Sequence, residues 1–178
     1  MSLDFSCPFT IRSVESRDVR ELRHRVLWPH KSSPEECVIE VDEHPGAIHL
    51  AAFTDVKEKW GIQVPGLEGR LVGACSLFLE HCTRCPVQWS SDMDVRLRVM
   101  GTLPEVRGGG AGAALIARAA EEVRTMGRKV LWCDAREVAF GFYTKMGFVF
   151  LNDTYHIPDI GPHRTMALDV SSAAHSNF

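Results

Sequence analysis

Arg107-Gly108-Gly109-Gly110-Ala111-Gly112 decides the fold because of what flanks it. Before it, Val95 to Leu103 is rich in β-branched and alternating residues, which predicts a strand, and Pro104 stops it. After it, Ala113 to Met126 carries Ile116, Ala119, Ala120, Val123 and Met126 at helical spacing, closed by Gly127. A glycine-rich turn therefore joins a strand end to a helix start. Such a turn presents several backbone N–H groups at the positive end of a helix, an arrangement that binds phosphate. Glycine admits φ > 0 and removes side chains that would block a ligand.

Three phosphate-binding readings compete with a plain surface loop. A P-loop needs Gly-Lys-Ser/Thr, and Gly112 is followed by Ala113 and Ala114. A dinucleotide fold needs G-x-G-x-x-G with an acidic residue about 20 residues on. Gly108, Gly110 and Ala113 imitate that spacing, but the next strand, Lys129 to Asp134, ends somewhat late for it. The third is the pyrophosphate turn Arg/Gln-x-x-Gly-x-Gly/Ala of acyl-CoA-dependent N-acetyltransferases, which Arg107, Gly110 and Gly112 fit.

The following stretch separates them. Lys129 to Cys133 reads as a short buried strand. Ala139, Phe142, Tyr143 and Met146 then fall at i, i+3, i+4 and i+7 on one helix face, Gly147 ends it, and Phe148 to Leu151 begins another strand. The string Ala139-x-x-Phe142-Tyr143-x-Lys145-x-Gly147-Phe148 closely resembles the A-x-x-F-Y-x-K-x-G-F signature of the GNAT superfamily. With the turn at the expected spacing, the chain resembles that superfamily over about residues 95 to 155. Ile160 to Met166 is similar to the final strand of one GNAT branch.

Composition places the chain among ordinary folded proteins. Its 178 residues suffice for a core, and 45% hydrophobic against 24% charged content is typical of a soluble domain. Net charge is 20 − 23 = −3 with the basic residues scattered, which argues against nucleic acid as a partner. No run approaches the ~18 apolar residues that cross a membrane. Met1 to Pro8 lacks the basic flank and apolar core of a signal peptide, so a cytoplasmic protein with reduced cysteines is expected. Cys82-Thr83-Arg84-Cys85, preceded by His81, lacks the second pair of a structural metal site. It reads as an ordinary loop, no metal is expected, and Cys75 and Cys133 read as small core residues.

Along the chain, Phe9 to Val14 predicts a first strand. Ser16 is a candidate cap for a helix with Val19, Leu22 and Val26 on one face. Ser33-Pro34-Glu35-Glu36 fits a helix start within the irregular segment 27 to 45. Ala47 to Thr54 and Arg70 to Glu80 read as paired strands joined by residues 55 to 69, and residues 81 to 93 form a polar connection. The expectation is one domain over 1–178, ordered from about 9 to 170 with a 171–178 tail. The resemblance implies a mixed α/β GNAT fold, a mostly antiparallel sheet of about seven strands flanked by helices and splayed after the fourth.

It also implies acetyl-CoA as co-substrate and an amine as acceptor, with a homodimer left open. Backbone groups from Gly108, Gly109, Gly110, Ala111, Gly112 and Ala113 would hold the pyrophosphate, with charge from Arg107. Met100, Gly101 and Thr102 would offer main-chain bonds to the pantetheine arm, one N–H serving the thioester carbonyl. Arg136 stands where many relatives have an Asn that bonds the cofactor arm. Tyr143 is the candidate general acid, since a tyrosine's ordinary pKa of about 10 keeps it protonated at neutral pH. The base is open among Asp42, Glu43, His44, Glu80, His81, Asp94 and His163. His163 is favoured because the final strand flanks the cleft in relatives and histidine suits proton transfer. Arg96 and Arg98 share a strand face and read as solvated or ion-paired. Two rivals remain: an acyl-CoA-binding module without catalysis, and a dinucleotide oxidoreductase.

Overall fold

The computed structural model describes residues 8–55, 61–87, 89 and 94–171. Cys7, Trp60 and, apart from Ser171, the expected tail lie outside the described residues.

The chain opens with β1 (Thr10–Val14), then a 3-10 turn (Ser16–Val19) that runs into α1 (Arg20–Val26). A second 3-10 turn (Pro34–Glu36) precedes β2 (Ile48–Thr54), β3 (Arg70–Leu79) and β4 (Val95–Thr102). After a 3-10 turn at Pro104–Val106 come α2 (Ala111–Thr125), β5 (Val130–Arg136), a 3-10 turn (Glu137–Ala139) and α3 (Phe140–Lys145). The chain closes with β6 (Val149–Phe150), β7 (Tyr155–Ile157) and β8 (Gly161–Asp169). The strands form an eight-stranded sheet in the order β1-β2-β3-β4-β5-β8-β6, with β7 also on β8. β1–β2, β5–β8, β6–β8 and β7–β8 are antiparallel. β4 and β5 are parallel, their ladder pairing Val95 with Leu131 and Arg96 with Trp132 at the start of each strand.

β7 is the strand that the sequence did not show. It has three residues between Asn152-Asp153 and Pro158, too few for alternation to register. It holds by a hairpin to β8, with Tyr155 opposite His163 and Ile157 opposite Gly161.

Two compact units are distinguished, residues 1–76 with 99–115, and 77–98 with 116–178. In the first, Leu50 to Phe53 and Leu71, Val72, Ala74 and Cys75 are all buried, so β2 and β3 read as apolar runs without alternation. Val19 and Leu22 are wholly buried, as their shared face requires. Ser16 is not the cap that its position suggested. Glu15 is the N-cap, its side chain accepting from the Asp18 N–H while Asp18 Oδ2 accepts the Glu15 N–H at 3.0 Å. A glutamate and an aspartate three residues apart make the reciprocal pair, and the Ser16 hydroxyl donates to the Glu43 carboxylate instead. In the second unit Ile116, Ala119, Ala120 and Val123 bury the inner stripe of α2, and β5 is buried from Val130 to Cys133.

Candidate active site

The glycine turn belongs to the first unit. Arg107 to Gly110 are exposed, and Gly108 (φ 78°) and Gly110 (φ 95°) take left-handed conformations that other residues resist. A Cβ at either would meet nothing within 4 Å, so their glycine identity answers to backbone geometry and open space. The first intrahelical hydrogen bond of α2 runs from the Ala114 N–H to the Gly110 carbonyl at 2.9 Å. The N–H groups of Gly110, Ala111, Gly112 and Ala113 lie before it, at the positive end of a fifteen-residue helix.

Ahead of the turn, Val99 in β4 has φ 48°. A β-branched residue there is a genuine outlier costing about 1–3 kcal/mol. It interrupts the pleat just before Met100, Gly101 and Thr102, all half-buried. Gly101 has a packing reason of its own: a Cβ would stand 2.8 Å from Val26 Cγ1 of α1.

Tyr143 belongs to the second unit. It is buried on α3, edge-on to Phe142 at 5.2 Å and to Phe148 at 5.1 Å. Its hydroxyl donates to the Cys133 sulfur. Burial, then the neighbouring Asp134 charge, pushes the Cys133 thiol well up, so it stays a neutral partner.

Alternation along β5 puts Cys133 and Asp134 on opposite faces. On the Asp134 face the strands assemble a polar cluster. Arg96 donates to Glu80 Oε1 and to Asp134 Oδ2, both at 2.6 Å, and lies 4.7 Å over the Trp132 ring. Asp134 Oδ1 accepts from the Tyr155 hydroxyl at 2.5 Å and from Thr165 Oγ1 at 2.8 Å. Burial alone would raise the Asp134 carboxyl; these hydrogen bonds and the Arg96 and Arg84 charges hold it below its ordinary value. Tyr155 is pushed up to about 12 by burial and by its bond to Asp134. His163 faces the same side, opposite Arg136 of β5 and Tyr155 of β7. It is 4% exposed, and its Nδ1 lies 2.9 Å from the Gly161 carbonyl. Nδ1 therefore donates to that carbonyl.

Of the other candidate bases, all but His44 are engaged. Asp42 is locked in a buried pair with Arg23 at 2.6 and 2.8 Å. Glu80 is tied to Arg96, and His81 Nδ1 lies 3.2 Å from the buried Asp94. Glu43 takes the Ser16 hydroxyl, and His44 is exposed. Arg136 is exposed at the end of β5. Arg96 is ion-paired rather than poised for an acceptor. Sequence reasoning passed over Asp134, Tyr155 and Thr165. Polar residues at alternate positions of otherwise apolar strands were the signal for Asp134 and Thr165.

Strand, glycine turn, helix and the α3 aromatic pair in this order define an acyltransferase architecture. Residues 59–150 match the acetyltransferase (GNAT) domain family. "Uncharacterized N-acetyltransferase YitI" of Bacillus subtilis (strain 168) is 32% identical over 156 residues, which cover 88% of this chain and 93% of that protein. The chain belongs to the GNAT acetyltransferase family. In fold it is similar to Escherichia coli ElaA, with TM-score 0.65 and 15% identity over 90% of this chain and 99% of that one. It is equally similar to Arabidopsis thaliana NAA60 solved in complex with acetyl-CoA, with TM-score 0.65 and 15% identity over 92% and 99% of the two chains.

Proposed function

We propose that this protein transfers an acetyl group from acetyl-CoA to a primary amine, directly, in a complex holding both substrates. The observation that carries the reading is the turn from Arg107 to Ala113, exposed from Arg107 to Gly110. Left-handed Gly108 and Gly110 leave open space, and successive N–H groups stand ahead of the first helical hydrogen bond. A doubly charged pyrophosphate fits that cradle, with Arg107 adding positive charge. The acetyl-CoA complex of NAA60, on the same fold, supports the choice of ligand. Met100 to Thr102 take the main-chain role toward the pantetheine arm, and Arg136 is the candidate side-chain donor to it.

In the reaction the amine nitrogen bonds to the thioester carbonyl carbon and the carbon–sulfur bond breaks. Tyr143 gives its hydroxyl proton to the departing sulfur, the proton lost by the amine goes to His163 Nε2, and solvent then reprotonates Tyr143 and deprotonates His163. The products are the amide and free CoA thiol.

Release of free CoA, measured against a panel of small amines, amino acids and peptides, tests the reading. Turnover with an amine, and initial-rate lines that intersect when both substrates are varied, support direct transfer. Acetyl-CoA binding without release above background for every amine would favour a binding module without catalysis. Failure to bind acetyl-CoA would overturn the reading.

A further inference from the structure

The loop after β3 holds a thiol pair that acetyl transfer does not use. Cys82 and Cys85 end a tight turn in which the Cys85 N–H donates to the Cys82 carbonyl at 3.2 Å. Such a turn brings its end Cα atoms within about 7 Å, and a disulfide spans up to roughly that distance. Both side chains pack in one apolar cluster with Val130, Trp132 and Ala167, flanked by Trp89. The Cys85 side chain and the Arg84 and Cys85 backbone lie close enough to the Cys82 sulfur to favour its thiolate. The Cys85 side chain, aided by those backbone groups and opposed by burial and the Asp94 charge, brings the Cys82 thiol down to about 7. Cys82 is itself only 1% exposed, yet its thiol is lowered, whereas burial pushes Cys75 and Cys133 up.

Arg84, between the two cysteines, reaches the acceptor-side cluster. It donates to Thr165 Oγ1 at 3.1 Å, lies 3.7 Å from Asp134 Oδ1, and sits 5.5 Å from the Tyr155 ring centre.

We propose that Cys82 and Cys85 are a reversible dithiol–disulfide site, closed by a peroxide, that acts on the His163 face of the sheet through Arg84. Cys82 thiolate attacks one peroxide oxygen; the O–O bond breaks, hydroxide leaves, and Cys82 becomes a sulfenic acid. The Cys85 sulfur then attacks Cys82; the S–S bond forms as the S–O bond breaks. In sum, two thiols and one hydrogen peroxide give one disulfide and two waters, the sulfurs being oxidised and the peroxide oxygens reduced. A dithiol reductant reverses it by exchange. Closing the bond fixes the sulfurs about 2 Å apart. The turn tightens and Arg84 leaves Thr165.

The test exposes the protein to hydrogen peroxide, counts thiols after denaturation and maps peptides by mass. Expected are the loss of two thiols, one Cys82–Cys85 crosslink and full return with dithiothreitol. Trp89 and Trp132 share the cluster, so tryptophan emission should shift on closure in the wild type and not in Cys85→Ser or Cys82→Ser. These readouts are independent of acetyl transfer and stand even if the proposed function fails. On that function, the oxidised protein should show an amine KM raised by about tenfold, the worth of one charge-assisted hydrogen bond. Affinity for acetyl-CoA should stay unchanged, and peroxide should not move KM in Cys85→Ser. Thiols that stay reduced, oxidation to sulfinic acid without a crosslink, or stoichiometric zinc held by the pair would overturn the site. A complete crosslink with KM unmoved would overturn the coupling through Arg84.

Discussion

Replacing Tyr143 by Phe separates packing from chemistry at one atom. The ring is 8% exposed and touches Phe142 and Phe148 edge-on, at interplanar angles of 69° and 63°. Phenylalanine keeps both contacts, each worth about 0.5–1.5 kcal/mol. What goes is the hydroxyl's bond to the Cys133 sulfur. A net hydrogen bond contributes about 0.5–1.5 kcal/mol, and a weak thiol partner puts this one at the low end. The loss of stability is therefore about 1 kcal/mol or less, a fall in Tm of roughly 2–4 °C for a chain of this size. A general acid contributes about 10²–10⁴ in rate, roughly 2.7–5.5 kcal/mol of barrier. The gap between those figures is the measurement: thermal unfolding, calorimetric affinity for acetyl-CoA, and CoA release with an accepted amine, all on one variant. Cys133→Ala is the control, since it removes the hydroxyl's partner and leaves the proton donor; its turnover should stay within about tenfold of wild type, one hydrogen bond's worth. Wild-type turnover in Tyr143→Phe would remove Tyr143 from the mechanism.

Gly110→Asp should weaken acetyl-CoA binding severely while the protein stays folded, because φ 95° strains any side chain and a carboxylate repels pyrophosphate; unchanged calorimetric affinity would mean that the turn does not hold the cofactor. His163→Gln should abolish the acidic limb of the rate profile and lower turnover, with acetyl-CoA affinity intact; a variant that only loses Tm and keeps its profile would make His163 a packing residue. Asp42 and Asp134 titrate below their ordinary value when folded: burial raises each, but hydrogen bonds, chiefly from Arg23 to Asp42 and from Tyr155 to Asp134, outweigh it. Each thus contributes stability that is complete above about pH 4 and is lost as pH falls through its folded value. Urea midpoints measured from pH 6 downward should drop steeply below pH 4, and a flat profile there would refute the assignment.

The half of the chain that carries the signature was legible because its physics is local. A strand stopped by Pro104, a turn whose glycines need positive φ, and a helix with one apolar stripe all act within a few residues of themselves. The α3 face announced Tyr143 in the same way. Long-range pairing was not legible. Arg23, Asp42, His49 and Ser76 meet from four segments: Arg23 Nη2 donates to Ser76 Oγ at 3.1 Å, and His49 Nδ1 lies 2.8 Å from the same oxygen. Nothing in the spacing of 23, 42, 49 and 76 encodes that. Asp42 therefore stood as a free base candidate when it is the buried counterion of an arginine with no exposed surface. Asp134 likewise read as the end of a strand, because Tyr155 reaches it from a strand too short to see.

Opposite faces of β5 give the proposed acid and base separate surroundings. Tyr143 stands on the Cys133 face among Phe142, Phe148 and a thiol that burial keeps neutral. His163 stands on the other face, beside a carboxylate whose bonds are taken by Arg96, Tyr155 and Thr165. Held by those three bonds, Asp134 fixes Tyr155, whose ring lies 6.1 Å from the His163 ring across the β7–β8 hairpin. That division needs strict alternation along β5, which its pairing with β8 at every residue from Val130 to Arg136 enforces. A one-residue slip would exchange the Cys133 and Asp134 faces, placing a carboxylate beside Tyr143 and a thiol in the arginine cluster.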